Sequence, residues 1–223
     1  MKNQYFTQEN LKNKAKEMLE KVRKYRDYHK IELLPEKSAL LVIDMQKYFL
    51  SPSSHAHVPS AYAILPGIKK LISVYSKKKL PVIFTLHSNT KENAGIMKKW
   101  WPELLLEGSP ESRLPKELES LEGIIIEKNQ YDAFYNTDLE QILKKKNIRQ
   151  LVICGVLTNI CCETTARSAF VRGFEVFFAI DGTAAYSEEH HISALINLSY
   201  GFTIPVLTEE LFYILLKKTK HKT

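Results

Sequence analysis

The chain has 223 residues, 44% of them hydrophobic and 26% charged, with a formal net charge of +7. That length is enough for one large α/β domain with its own core, and the balance is that of an ordinary globular protein. No apolar run approaches the ~18 residues of a membrane span, and the polar, lysine-rich N-terminus lacks the apolar stretch of a signal peptide, so the cytoplasm is the expected location and no membrane partner is expected.

Residues 8 to 28 place Leu11, Ala15, Leu19, Val22 and Tyr25 at helical spacing with charge on the other faces. This predicts an amphipathic N-terminal helix that packs on its own domain or on a partner subunit. The helix and its lead-in through Leu33-Leu34-Pro35 make one unit, 1–34, and the remainder, 35–223, a second. From Ser38 onward short apolar runs alternate with helical patterns. Strands are predicted at Ala39–Ile43, Pro81–Leu86, Gly123–Glu127, Leu151–Cys154, Glu175–Ala179 and Thr203–Val206, and helices at Ala61–Lys78, Thr137–Lys146, Asn159–Arg172, Ser187–Tyr200 and Glu209–Lys217. Apolar strands without polar alternation suit a sheet covered on both faces. The expected fold is α/β: a single, doubly wound, Rossmann-like, mostly parallel six-stranded sheet with helices on both faces. The stretch from Ser88 to Glu122 replaces a simple helix with an irregular segment containing Trp100 and Trp101, a composition suited to a lid or binding loop or to core anchors.

The positive charge gathers at Lys77-Lys78-Lys79, Lys144-Lys145-Lys146, Lys217-Lys218 and the tail Lys220-His221-Lys222. The first three runs fall at ends of predicted helices, where cations complement the dipole, so solvated helix ends are expected rather than a nucleic-acid surface. Three cysteines, two of them adjacent, make neither a disulfide framework nor a zinc pattern and fit a reducing compartment.

In open α/β sheets ligands sit beyond the carboxyl ends of the strands, near the point where strand order reverses. The residues there are Asp44, His87, Lys128 and the Gly155–Cys161 turn. Gly155 is expected to break the fourth strand, and Thr158-Asn159 to cap the next helix, placing Cys161 and Cys162 in its first turn. Unpaired N–H groups and the dipole at that position push a thiol toward thiolate. A cysteine at a helix start is also readily an inert core residue. An acid, a cation and a thiol on one edge would make a nucleophilic site.

Three blocks, LLVIDMQKYFL (Leu40–Leu50), EKNQYDAFYNTDL (Glu127–Leu139) and CGVLTNICCETTARSAFVRGFEVFFAIDGTAA (Cys154–Ala185), resemble the signatures of the isochorismatase-like cysteine hydrolases. This superfamily includes nicotinamidases, N-carbamoylsarcosine amidohydrolase and isochorismatases. The resemblance runs from Ser38 to Leu216. It implies a catalytic set of Cys161, Asp44 and Lys128, with Cys162 a packed neighbour. It also implies a cis peptide between Val156 and Leu157, with the backbone N–H groups of Leu157 and Cys161 as the oxyanion hole. The implied reaction cleaves a C–N bond of a small amide or carbamoyl compound through a thioester-like intermediate. Assembly as a homo-oligomer, dimer or tetramer, is implied as well, with the Tyr186–Phe202 region and the N-terminal helix as possible contacts.

True isochorismatases resemble a variant with glycine at the position of Cys161, and their vinyl-ether hydrolysis begins with proton donation. The cysteine therefore favours an amide, and acid catalysis by Asp44 on an isochorismate-type substrate stands as the alternative. A non-enzymatic binding module is the third reading. Nicotinamidases carry a metal near the first two strands, yet the expected Asp-x-His cluster is missing. No metal or other cofactor is expected, His55 and His57 read as a solvated pair, and His87 is left open. His190-His191 reads as surface or packing. Expected substrate contacts are Phe49, Asn89, Trp100, Tyr131 and Phe134, chosen for their closeness to strand ends or the irregular segment.

Overall fold

The computed structural model describes residues 2–217. Lys218 and the tail Lys220-His221-Lys222 lie outside the described residues. Six strands, β1 (Ser38–Ile43), β2 (Val82–His87), β3 (Ile124–Lys128), β4 (Gln150–Val156), β5 (Glu175–Ala184) and β6 (Thr203–Val206), form one sheet in the order β3-β2-β1-β4-β5-β6. Every pairing is parallel. The helices are α1 (Leu11–His29), α2 (Lys47–Leu50), α3 (Ala61–Lys77), α4 (Met97–Trp100), α5 (Lys116–Glu119), α6 (Leu139–Lys145), α7 (Glu163–Val171), α8 (Glu188–Gly201) and α9 (Thr208–Leu216). None is long and apolar enough to cross a membrane.

The central strands β1 (SALLVI) and β4 (QLVICGV) are buried at every position, which explains their unbroken apolar runs. Layers of helices cover them. α3 and α9 pack together over β1, β4 and β5, and α1, α7 and α8 pack on the other face against β5 and β6. The predicted apolar face of α1 is the one it buries, through Ala15, Met18, Leu19 and Val22. These residues, together with Tyr5 and Phe6, join a single continuous core with the sheet. The lysine runs at 77–79 and 144–146 sit at the C-terminal ends of α3 and α6.

Several local expectations are corrected. β4 does not stop at Gly155 but continues to Val156 with a register shift there. Gly155 adopts φ +118°, and a Cβ at this position would lie 2.1 Å from the Ile43 carbonyl oxygen, so only glycine lets β4 run this close to β1. β5 extends to Ala184 rather than ending at Ala179. The loop after β1 contains the short helix α2, and the segment 88–122 contains α4 and α5.

Candidate active site

Strand order reverses between β1 and β4, and the candidate residues meet beyond the carboxyl ends there. Register places Ile43 beside both Thr85 and Gly155, and His87 beside Lys128, so Asp44, Lys128 and the turn after Val156 converge on one spot. Asp44 takes a left-handed backbone conformation (φ 49°) that turns its side chain off the end of β1. Its Oδ2 faces Lys128 Nζ at 2.7 Å, with both side chains wholly buried. Thr85 Oγ1 donates to Asp44 Oδ1 (2.6 Å) and accepts from Asp44 N–H (3.1 Å). Lys128 Nζ also donates to the Gln130 carbonyl (2.9 Å).

The Cys161 thiol sits close enough to Asp44 and Lys128 for both to act on its proton, Lys128 lowering its pKa and Asp44 raising it. It rides on a single π-helical turn, Thr158–Cys162, that leads into α7. No side chain caps this turn; Thr158 Oγ1 is spent on His191 Nδ1 (2.9 Å), so the predicted Thr158-Asn159 cap is replaced by a tertiary contact. The expectation of a thiolate is also corrected. Burial pushes the Cys161 thiol up, Lys128 opposes this and the Asp44 charge adds to it, a net direction opposite to that expected from the helix start. Burial works against the Lys128 ammonium, but Asp44 and Cys161 more than offset it and hold its pKa above the ordinary lysine value. His87 is pushed down to about 4 by burial first and then by Lys128, which leaves it neutral.

The peptide between Val156 and Leu157 is cis. Among the described residues the N–H groups of Leu157 and Cys161 have no backbone partner outside their own helix or strand. Both residues line one cleft.

Three of the expected contact residues, Phe49, Asn89 and Tyr131, line this cleft, and two do not. Trp100 is 70% exposed; the backbone leaves α4 in an extended conformation, and it is Trp101 that reaches the cleft and donates from Nε1 to Tyr131 Oη (2.8 Å). Phe134 packs on Phe174 (centroids 5.9 Å apart) beneath the Arg172 guanidinium, because the turn fastened by Asp132 Oδ1 to Phe134 N–H carries it into the core. Sequence reasoning missed Trp101, Tyr48 and Tyr186 as walls. It also missed Gln46, whose side-chain amide bonds both the N–H and C=O of His87 and the Ser112 carbonyl, tying β1, β2 and the irregular segment together. Only the position of Gln46, two residues after Asp44, could have hinted at this.

The segment 88–122 is a wall of the cleft through Met97, Trp101, Leu104 and Leu105. At the rim Tyr48 Oη meets His55 Nε2 (3.1 Å), and His55 Nδ1 meets Glu103 (3.0 Å). His55 therefore has protein partners, and His57 lies outside the cleft lining. Among the described residues no three His, Cys, Asp or Glu side chains come together as a metal site. The arrangement can shuttle a proton between a thiol and a carboxylate beside a fixed cation, under an aromatic cleft.

Residues 38–210 match the isochorismatase domain. The chain is 37% identical over 179 residues to nicotinamidase 3 of Arabidopsis thaliana, covering 78% of this chain and 86% of that one. It is 29% identical over 180 residues to enterobactin synthase component B of Escherichia coli (strain K12), covering 79% of this chain and 63% of the relative. Among solved structures, a cysteine hydrolase from Pseudomonas syringae pv. phaseolicola 1448A superposes with a TM-score of 0.79 at 26% identity, covering 83% of this chain and 95% of that one.

Proposed function

The chain is a hydrolase of the isochorismatase family, and from that premise we propose that it is a cysteine amidohydrolase that cleaves the C–N bond of a small, planar amide or carbamoyl compound. The observation that supports this most is Cys161 lining an aromatic cleft beside the buried Asp44–Lys128 pair, both members of which act on its thiol. Likeness to a nicotinamidase makes nicotinamide the first substrate to try.

In the proposed reaction Asp44 takes the thiol proton as Cys161 sulfur attacks the carbonyl carbon. The N–H groups of Leu157 and Cys161 receive the oxyanion. The tetrahedral species collapses to a thioester as the C–N bond breaks, and the Asp44 proton leaves with ammonia. Water then attacks the thioester carbon, giving its proton to Asp44, and that proton returns to the departing sulfur as the acid is released. Lys128 keeps the site's charge balanced throughout. A resting thiol, rather than a thiolate, suits this order of events: the proton moves only when an electrophile is in place.

The alternative is an isochorismate-type vinyl-ether hydrolase in which Asp44 donates a proton and Cys161 is a bystander. Asp44 is engaged by Thr85 and Lys128 as an acceptor, which suits a base better than a donor. Ammonia release over a panel of primary amides and ureido compounds tests the proposal, with Cys161→Ala as control. Turnover lost in that variant supports the thiol route. Pyruvate release from isochorismate that survives thiol alkylation would establish the alternative instead.

A further inference from the structure

The N-terminal arm, residues 2–7, lies outside the matched family domain, yet it is fastened into the turn that carries Cys161. Its backbone is held on the start of α3, where Ser60 Oγ accepts from the N–H groups of Tyr5 and Phe6 (3.1 Å each). This buries both side chains. The Tyr5 hydroxyl then accepts from Ala185 N–H (2.9 Å) at the end of β5 and meets His191 Nδ1 (2.9 Å). The same nitrogen lies 2.9 Å from Thr158 Oγ1. Phe6 closes the junction edge-on to the His191 ring (5.4 Å between centroids). Burial pushes His191 down to about 3, so the ring is neutral and its Nδ1 is shared by the two hydroxyls.

Thr158 is the first residue of the π-helical turn, and its carbonyl accepts from Glu163 N–H, closing that turn around Cys161. A single turn held by few backbone bonds has little stiffness of its own, so its position depends on what grips its ends. The arm also reaches the cleft wall. Asn3 N–H donates to the Tyr186 carbonyl (2.9 Å), the Lys2 ammonium sits over the Tyr186 ring (4.2 Å from its centroid), and the same ammonium donates to the His55 carbonyl.

We infer that Tyr5 is a positioning residue for the nucleophile: through His191 and Thr158 it fixes the turn that presents the Cys161 sulfur and the adjoining backbone N–H groups. The part of this concerning catalysis rests on Cys161 being the nucleophile; the mechanical coupling of Tyr5 to the turn does not. Tyr5→Phe keeps the buried ring and removes only the hydroxyl, leaving Ala185 N–H and the His191–Thr158 pair without their third member. Tyr25→Phe, at a ring that meets Tyr200 edge-on away from this junction, is the control.

Backbone hydrogen exchange read by mass spectrometry tests the coupling directly. Tyr5→Phe is expected to speed exchange over residues 157–163 about tenfold while leaving residues 82–87 of β2 at the wild-type rate. On nicotinamide, kcat is expected to fall about tenfold with KM within about twofold, the pattern of an interaction felt in the transition state. Thr158→Val should reproduce both effects, and the double variant should add little to either single change; it also tests the link should Tyr5→Phe fold poorly. Exchange over 157–163 that matches wild type, or that rises equally throughout the molecule, overturns the inference, as does a change in KM alone. A wild-type protein that turns over no amide would count against the proposed activity, while the exchange measurement would still decide whether Tyr5 holds the turn.

Discussion

The buried charge pair beside Cys161 is made from strand ends and the walls of the cleft from loops, and the two are specified by different means. Asp44, Lys128 and the turn before Cys161 follow directly from parallel strands whose register is set by burial of whole apolar runs. β1 and β4 are covered on both faces, so a one-residue slip would have to repack both helix layers against the sheet, and these positions have little freedom. The walls come from α2, the irregular segment and the chain after Lys128, where a neighbouring residue can take the place of the expected one at small cost. Trp101 stands in the cleft where Trp100 was expected, and Tyr131 is present without Phe134.

The comparison can be broken or sharpened by substitution, and Cys161 and the charge pair should give the largest effects. Cys161→Ala is expected to lower amide turnover by at least ~10³-fold while leaving the fold intact, as measured by ammonia release and circular dichroism. Lys128→Met leaves the buried Asp44 carboxylate without its cation and should cost about 3–5 kcal/mol of stability in urea unfolding, along with activity. If Lys128→Met were as stable as wild type, the buried pair would not be organising the site. Phe134→Ala should remove about 3 kcal/mol or more of core packing yet leave KM for any substrate unchanged, since its ring lies against Phe174 and not in the cleft.

A smaller effect comes from pH. His87 has its folded pKa lowered from 6.5 to about 4, so between those values the unfolded chain binds a proton that the folded one refuses. Stability should therefore fall as pH drops through this window, by about 3 kcal/mol at most from this group. Urea midpoints from pH 7 to 4.5 should decline less steeply in His87→Asn than in wild type, and identical slopes would contradict a buried neutral imidazole. The smallest effect separates two adjacent residues on the wall. Trp101→Ala should raise KM about tenfold, whereas Trp100→Ala, at an exposed side chain, should leave it within about twofold.

What the sequence made legible divides along the same line. Short apolar runs gave all six strands, and the polar residues at the ends of three of them gave Asp44, His87 and Lys128, although the edge strand that carries Lys128 is only partly buried. The resemblance supplied the cis peptide, which backbone propensity does not announce. Less legible were features that depend on contacts across the fold. The π-helical turn was read as an ordinary capped helix start because Thr158 has the chemistry of a cap, while its hydroxyl is claimed by His191, thirty-three residues on. The thiol was expected to lean toward thiolate because helix ends favour anions, but desolvation at a wholly buried site outweighs that preference. Thr85 and Gln46 carry no motif; their roles exist only once β1 and β2 are side by side.

The most direct test of the central claim is the mass of the protein quenched in acid during turnover of nicotinamide or of the best amide found. The account predicts an acyl adduct on the peptide that contains Cys161, absent in Cys161→Ala and discharged when substrate is exhausted. Steady product release with an unmodified Cys161, undiminished in the alanine variant, would contradict it.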